Sequence, residues 1–161
     1  MNHQSVIKDI ESGKFEKIYF LHGEEPYYMD LITDAILKNV LEEHERDFNQ
    51  SIIYGKEAEA GSVIAEAKGY PMMAERRVVV LKEAQDFRAI DDLEAYFSNP
   101  SEQTVFVVNF KYKNYDSRKK AAKAAAKNGV FLKCEKIKDY KLADWIGSYV
   151  CLLYTSPSPR D

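Results

Sequence analysis

Short apolar runs alternate along the chain with longer segments whose apolar residues recur at helical spacing. The runs "VVVL" at 78–81 and "VFVVN" at 105–109 are apolar on both faces, which is typical of central strands in a parallel sheet covered by helices. Together with three similar runs they predict five strands, at 17–22, 51–54, 78–82, 104–109 and 130–134. The segments between and around them predict helices at about 4–12, 26–44, 58–68, 89–97, 115–128 and 139–150.

The alternation of strands and helices predicts an α/β fold, a parallel sheet with helices on its faces and right-handed crossovers. A stripe of apolar residues at helical spacing in the second helix is predicted to pack in the core. Its members are Met29, Ile32, Ile36 and Val40.

Several residues indicate where helices begin and end. Pro26 suits the first turn of a helix, where its missing N–H costs no hydrogen bond. Asp116 or Ser117 is the predicted N-cap of the helix at 115–128. Gly129 follows "KAAAKN" in the place of a glycine that ends a helix.

The chain has 161 residues and a formal net charge of −3. Its contents of apolar and charged residues are typical of a globular protein. This length corresponds to roughly one domain, with room for the start of a second. No apolar run approaches the roughly 20 residues that span a bilayer, and the amino terminus lacks the apolar core of a signal peptide. Two cysteines and no export signal favour a cytoplasmic location, and the three scattered histidines do not predict a metal site.

The stretch "YFLHGEEPYYMDLI" at 19–32 places a glycine between a strand and a helix, as a phosphate-binding loop does. The lysine and hydroxyl residues of such a loop are missing from 24–29, and Glu24 and Glu25 follow Gly23 instead. Two carboxylates at a helix amino terminus satisfy its dipole and repel a triphosphate. The pattern therefore favours a capped turn over an ATP site, although a nucleotide-binding hydrolase with an unusual loop remains an alternative. No other catalytic constellation is evident, and no cofactor is predicted.

The connection "AKGYPMMAERRVVVL" at 67–81 concentrates apolar residues where a surface loop is expected. The candidate binding residues are Tyr70, Pro71, Met72 and Met73, since methionine is common on adaptable binding surfaces. The alternative is that both methionines tuck under the sheet. Because this loop precedes a strand, it is expected at the opposite end of the sheet from Gly23.

The segment "YDSRKKAAKAAAKNG" predicts a helix with a lysine face opposite an alanine face. Such a face is commonly only solvated, but it also suits contact with a nucleic-acid backbone. Tyr112 and Tyr115 lie close by in sequence and are candidates for stacking on bases. A nucleic-acid-binding α/β domain is therefore a further alternative function. The lysines concerned are Lys119, Lys120, Lys123 and Lys127.

Periodicity stops in the last eleven residues, "CLLYTSPSPRD" at 151–161. One interpretation is a flexible tail. The other is that all eleven residues resemble the translation of a sequencing-library adapter. They would then be a non-native tail that does not contribute to the fold. On that interpretation the natural chain is expected to continue beyond residue 150.

Four stretches occur in an order and spacing that resemble one protein family over about residues 4–150. They are "KIYFLHGEEPYYMDLI", "GYPMMAERRVVVLKEA", "TVFVVNFKYKNYDSRKKAAK" and "DYKLADWIGSYV". The family is the delta subunit of bacterial DNA polymerase III, a clamp-loader subunit. The resemblance implies an AAA+-like domain of the P-loop NTPase type at 1–137, with five parallel strands and a degenerate nucleotide loop at Gly23, Glu24 and Glu25. It also implies the first helix of a helical lid domain at 138–150, with Trp145 as its core anchor.

The resemblance further implies a non-catalytic subunit that binds and opens the DNA sliding clamp, the beta subunit, during DNA replication. The family's clamp-inserting hydrophobic pair, more often Leu-Phe, corresponds here to Met72 and Met73. ATP would be hydrolysed by other subunits of this DNA-directed DNA polymerase holoenzyme, a nucleotidyltransferase complex. The implied partners are the clamp, the gamma/tau and delta prime subunits, and primed DNA, with no membrane involved.

Overall fold

A computed structural model of the chain describes residues 2–135, which contain one five-stranded sheet. All neighbouring strands run parallel, as the alternating pattern predicts. Their order in the sheet is β2-β3-β4-β1-β5. The strands are β1 Ile18–Gly23, β2 Gln50–Tyr54, β3 Arg77–Lys82, β4 Thr104–Lys111 and β5 Val130–Lys133.

Six α-helices connect or precede these strands in the described part of the chain. They are α1 His3–Glu11, α2 Pro26–Asn39, α3 Arg46–Asn49, α4 Ala60–Lys68, α5 Glu94–Ser98 and α6 Lys120–Asn128, with 3-10 turns at Glu43–Glu45, Gly55–Glu57, Ala84–Asp86 and Ile90–Leu93. Within residues 2–135, none of these helices has the length and apolar character that crossing a membrane requires.

The sheet separates two hydrophobic cores, one on each face. Alternate residues of β1 serve different cores: Phe20 packs with the aromatic cluster beneath α4, α5 and α6, whereas Leu21 packs with α1 and α2. Burial on both sides explains why the central strands are continuously apolar. The predicted stripe of α2 is confirmed as core: Met29, Ile32 and Ile36 are fully buried, and Val40 packs against them.

The predicted start of α6 is wrong. The helix begins at Lys120 rather than 115, and its N-cap is Lys119 rather than Asp116 or Ser117. The Asp116 carboxylate instead accepts a hydrogen bond of 2.9 Å from the Arg118 backbone N–H and so closes a local turn. This competition between a side-chain turn and a helix is typical of aspartate.

Other helix boundaries also differ from the sequence-based prediction. Helix α2 ends at Asn39 rather than 44, and the predicted helix at 89–97 is a 3-10 turn followed by the short α5. Pro26 does occupy the first turn of α2, where Glu25 is the N-cap. Gly129 stands at the C-cap of α6, but with an extended φ of −169°. A β-carbon there would lie 2.5 Å from the Ile18 carbonyl oxygen, so close approach to β1 accounts for the glycine.

The predicted lid helix at 138–150 and the tail at 151–161 lie outside the described residues. The division into segments 1–137, 138–150 and 151–161 therefore stays a prediction.

Candidate functional site

The loop between α4 and β3 presents apolar side chains to solvent. Met73 is 95% exposed, Tyr70 is 82% exposed and Met72 is 58% exposed, while Pro71 is half-buried. The alternative in which the methionines tuck under the sheet is therefore wrong. Since the strands are parallel, this loop lies before the amino end of β3, at the opposite end of the sheet from Gly23, as predicted.

The backbone of this apolar loop is held by a buried side chain from another element. The Asn49 side chain, at the end of α3, accepts a 2.6 Å hydrogen bond from the Met72 N–H through its oxygen. Its amide nitrogen donates to the Met72 carbonyl and to the Glu45 carbonyl, each at 2.9 Å. Asn49 is fully buried, so its polar atoms depend on these partners.

Two further side chains tie down the start of the loop. The Gln103 amide donates to the Gly69 carbonyl at 3.1 Å. The Arg77 guanidinium reaches the Tyr70 carbonyl at 3.4 Å and forms an ion pair with Glu66. Met73 itself adopts a left-handed backbone conformation, with φ of 56°, which is uncommon for a residue with a side chain. The loop thus combines an anchored backbone with solvent-exposed side chains.

At the other end of the sheet, the Gly23, Glu25 and Tyr27 backbone amides have protein partners. The Gly23 N–H donates to the Lys113 carbonyl and the Glu25 N–H to the Cys134 carbonyl, both at 3.1 Å. The Tyr27 N–H donates to the Glu25 carboxylate, and Pro26 has no N–H. A phosphate-binding turn needs such amides free to face the ligand. These amides are occupied by the chain itself.

Two titratable residues beside this turn are held in their neutral forms. Burial, with a smaller effect of Lys133, lowers the pKa of His22 to about 4. The neutral His22 Nδ1 accepts a hydrogen bond of 3.1 Å from the Tyr115 N–H, and its ring stacks on Phe131. Burial and the neighbouring Glu25 carboxylate raise the pKa of the Cys134 thiol to about 12. Neither group is poised for acid–base or nucleophilic chemistry at neutral pH.

Lys111, at the carboxyl end of β4, lies between two carboxylates. The sequence alone does not predict this contact, because the three residues are far apart in the chain. Its ammonium is 3.3 Å from both Asp30 and Glu83. Burial alone would lower the pKa of Lys111, but the two carboxylates outweigh it, and the pKa is raised. Within residues 2–135, no three His, Cys, Asp or Glu side chains converge as a metal site would require.

Helix α6 has the two faces that the sequence predicts. Lys120, Lys123 and Lys127 are exposed and form no ion pair with any described residue, whereas Lys119 pairs with Asp91 at 3.1 Å. The opposite face, Ala121, Ala122 and Ala125, is buried against the sheet.

The two tyrosines proposed to stack on bases have different environments. Tyr115 is buried in the aromatic core and donates its hydroxyl hydrogen bond to Asp91, so its predicted availability for stacking is wrong. Tyr112 is exposed, in the turn that follows β4. A nucleic-acid surface on α6 would therefore depend on the lysines. Of the two candidate tyrosines, Tyr112 is the one exposed to solvent and able to stack on a base.

Asn49 is the residue of this site that sequence reasoning missed. It stands in "RDFNQS", where an asparagine at the end of a short helix is typical of a local turn. The signal that could have found it is topological. The segments before β2 and β3 precede neighbouring parallel strands, so they must lie side by side, which brings Asn49 near Met72.

Comparisons with known proteins agree on one family. A family model described as "DNA polymerase III, delta subunit" matches residues 19–135. The DNA polymerase III subunit delta of Bacillus subtilis strain 168 is 28% identical over 150 residues, which are 87% of this chain and 43% of that protein.

Solved structures with the same fold include one of a delta protein. The structure of the Bacillus subtilis DNA clamp loader delta protein matches with a TM-score of 0.81 at 26% identity, over 93% of this chain and 47% of that one. A DNA polymerase III gamma subunit-related protein from Thermotoga maritima matches with a TM-score of 0.56 at 12% identity, over 92% of this chain and 50% of that one. The latter likeness concerns the fold alone. The chain spans about half the length, or less, of each of these relatives.

Proposed function

Because the chain belongs to the DNA polymerase III delta subunit family, we propose that it is a non-catalytic clamp-loader subunit that binds and opens the DNA sliding clamp. The contact is made by Tyr70, Pro71, Met72 and Met73, the clamp-binding loop, which docks in an apolar pocket of the clamp. Binding opens the ring only if the loop has higher affinity for a clamp conformation with a weakened subunit interface.

The observation that carries this proposal is the exposure of Met72 and Met73 on an anchored backbone. Large apolar side chains at a loop tip offer little to the isolated chain, whereas their burial in a partner's pocket is favourable by roughly 25 cal/mol per Å² of apolar surface. The long, adaptable thioethers fit a pocket without the shape demands of an aromatic ring.

Binding of the purified chain to the sliding clamp of the same organism tests the proposal. We expect Met72→Ala/Met73→Ala to weaken binding at least about tenfold, since each loses a buried side chain of roughly 1 kcal/mol or more. Tyr54→Ala is the matched control, because Tyr54 is also an exposed apolar residue but ends β2 at the opposite end of the sheet. Equal retention of the double variant and the wild type would refute the proposal.

The Gly23 turn, with Glu24 and Glu25, then serves as structure rather than as a nucleotide site. The engaged amides of Gly23, Glu25 and Tyr27 support this assignment over the hydrolase alternative. ATP hydrolysis accordingly belongs to other subunits of the polymerase holoenzyme, and gamma/tau and delta prime are the proposed partners besides the clamp. A role in DNA replication implies that the proposed activity is cytoplasmic.

A second, compatible function is contact with primed DNA through α6. It is supported by the three exposed lysines that lack an ion-pair partner among the described residues. Ammonium groups with no internal carboxylate are free to neutralise phosphates and release counterions.

A further inference from the structure

We propose that Asn49 is a positioning residue for clamp binding: it holds the Met72 backbone so that both methionines are presented to the partner. This inference rests on the function proposed above, and it concerns a residue that is itself too deeply buried to touch the clamp. Asn49 acts through Met72 and Met73 rather than by direct contact.

The hydrogen bonds form a bridge between two connections. Asn49 ends α3 immediately before β2, and Met72 lies in the loop before β3, which pairs with β2. The Asn49 side chain both accepts from the Met72 N–H and donates to the Met72 carbonyl, so a single residue of the loop is fixed in both position and orientation. The remaining N–H of the Asn49 amide is bound to the Glu45 carbonyl.

This arrangement fits Asn49 to positioning rather than to core packing alone. A side chain that served only to fill space would not need a two-way contact with one backbone unit. The contact is made at Met72, directly before Met73, whose backbone is left-handed and whose side chain is almost wholly exposed to solvent. A loop released at Met72 would sample other conformations, and binding would then have to order them again.

The cost of that ordering sets the expected effect. Fixing a residue's backbone on binding costs conformational entropy, and a loop already held in its bound conformation avoids this cost. Without its hydrogen bonds to Asn49, the loop is therefore expected to bind the clamp more weakly, even though Met72 and Met73 are still present. The affinity loss is expected to be at least about fivefold.

The first test measures clamp affinity for Asn49→Ala. The matched control is Asn128→Ala. Asn128 is half-buried rather than fully buried, but its amide also donates to a backbone carbonyl of a distant element, that of Phe97, at 2.8 Å. We expect Asn49→Ala to weaken clamp binding at least about fivefold and Asn128→Ala to leave it within about twofold. Thermal unfolding of both variants shows whether each folds.

A double-mutant cycle separates positioning from a general structural effect. In the Met72→Ala/Met73→Ala background, Asn49→Ala should cause a smaller loss of clamp affinity than in the wild type, because only Tyr70 and Pro71 remain to be presented. A loss as large as the one that Asn49→Ala causes in the wild-type background would overturn the inference. If the methionine variant binds like the wild type, the proposed function fails; if it binds weakly while Asn49→Ala binds normally, only the present inference fails.

Hydrogen exchange in the unaltered chain provides a measurement that does not depend on a variant folding. The Met72 amide, although in an exposed loop, is expected to be protected by its bond to Asn49, whereas the Met73 amide is the unprotected comparison within the same loop. Exchange of the Met72 amide as fast as that of an unstructured peptide would also overturn the inference.

Discussion

Gly23 lies directly against the backbone of Cys134: a β-carbon on Gly23 would be 2.3 Å from the Cys134 carbonyl oxygen. That same oxygen accepts a hydrogen bond from the Glu25 N–H, so the chain leaving β5 passes over the turn whose position, between a strand and a helix, corresponds to that of a phosphate-binding loop. Gly23 also has a φ of 128°, which favours glycine. Two independent constraints therefore act on one residue.

We predict that Gly23→Ala destabilises the fold by more than about 3 kcal/mol, because backbone strain of roughly 1–3 kcal/mol adds to a steric clash. Gly13→Ala is the matched control, since Gly13 also has a positive φ, 92°, but its β-carbon would meet no atom within 4 Å. Urea unfolding of both variants measures the difference. Equal destabilisation of the two variants would show that the proximity of Cys134 does not matter.

Magnesium and ATP should not stabilise this chain. A site with a Kd of about 10 µM would add about 2.7 kcal/mol to the free energy of unfolding at about 1 mM ATP, and the melting temperature would rise by several degrees. Because the Gly23, Glu25 and Tyr27 amides already have partners, we expect a shift in melting temperature below about 1 °C relative to magnesium at matched ionic strength. A saturable rise at micromolar ATP would instead support the nucleotide-binding alternative.

Acid should destabilise the fold through His22. Its pKa is about 4 in the folded chain against an ordinary value of 6.5, so between these values the unfolded chain binds more protons. The free energy of unfolding therefore falls as the pH drops through this window and is unaffected above it. The His22 contribution between pH 7.5 and 5 is about 2 kcal/mol.

The variant His22→Asn isolates this effect. The asparagine amide oxygen can accept a hydrogen bond from the Tyr115 N–H, as the imidazole does, but the amide does not titrate. Urea unfolding at pH 7.5 and pH 5 is expected to show a smaller acid-induced loss of stability in the variant than in the wild type. Identical losses in the two proteins would contradict the assignment of a neutral, buried His22.

The lysine face of α6 should give salt-dependent DNA binding. We expect Lys120→Glu/Lys123→Glu to weaken binding to a primed duplex and to make the dependence of log K on log salt less steep by about 2, one for each phosphate that is no longer neutralised by a lysine. The control is Lys8→Glu/Lys14→Glu, which makes the same charge change at exposed lysines in and after α1. Equal effects of the two double variants would indicate a general charge effect instead of a defined surface.

The differences between predicted and observed helix ends have a common physical cause. Periodicity reports which residues face the core, but it does not resolve the competition between helix and side-chain turns at a boundary. At Asp116 the turn to Arg118 prevailed, and Tyr115 entered the aromatic core instead of the helix. Similarly, the sequence does not determine whether Met72 and Met73 are exposed, because an apolar pair in a connection is compatible with either burial or exposure.

By itself, the sequence determined the order of strands and helices, the parallel sheet with two covered faces, and the missing phosphate-binding side chains after Gly23. These properties follow from residue type and periodicity within short windows. Only the tertiary structure decided that the Lys113 and Cys134 carbonyls occupy the turn amides and that Asn49 holds Met72. Such contacts join residues far apart in the chain, and they exist because the strand order brings their connections to the same end of the sheet.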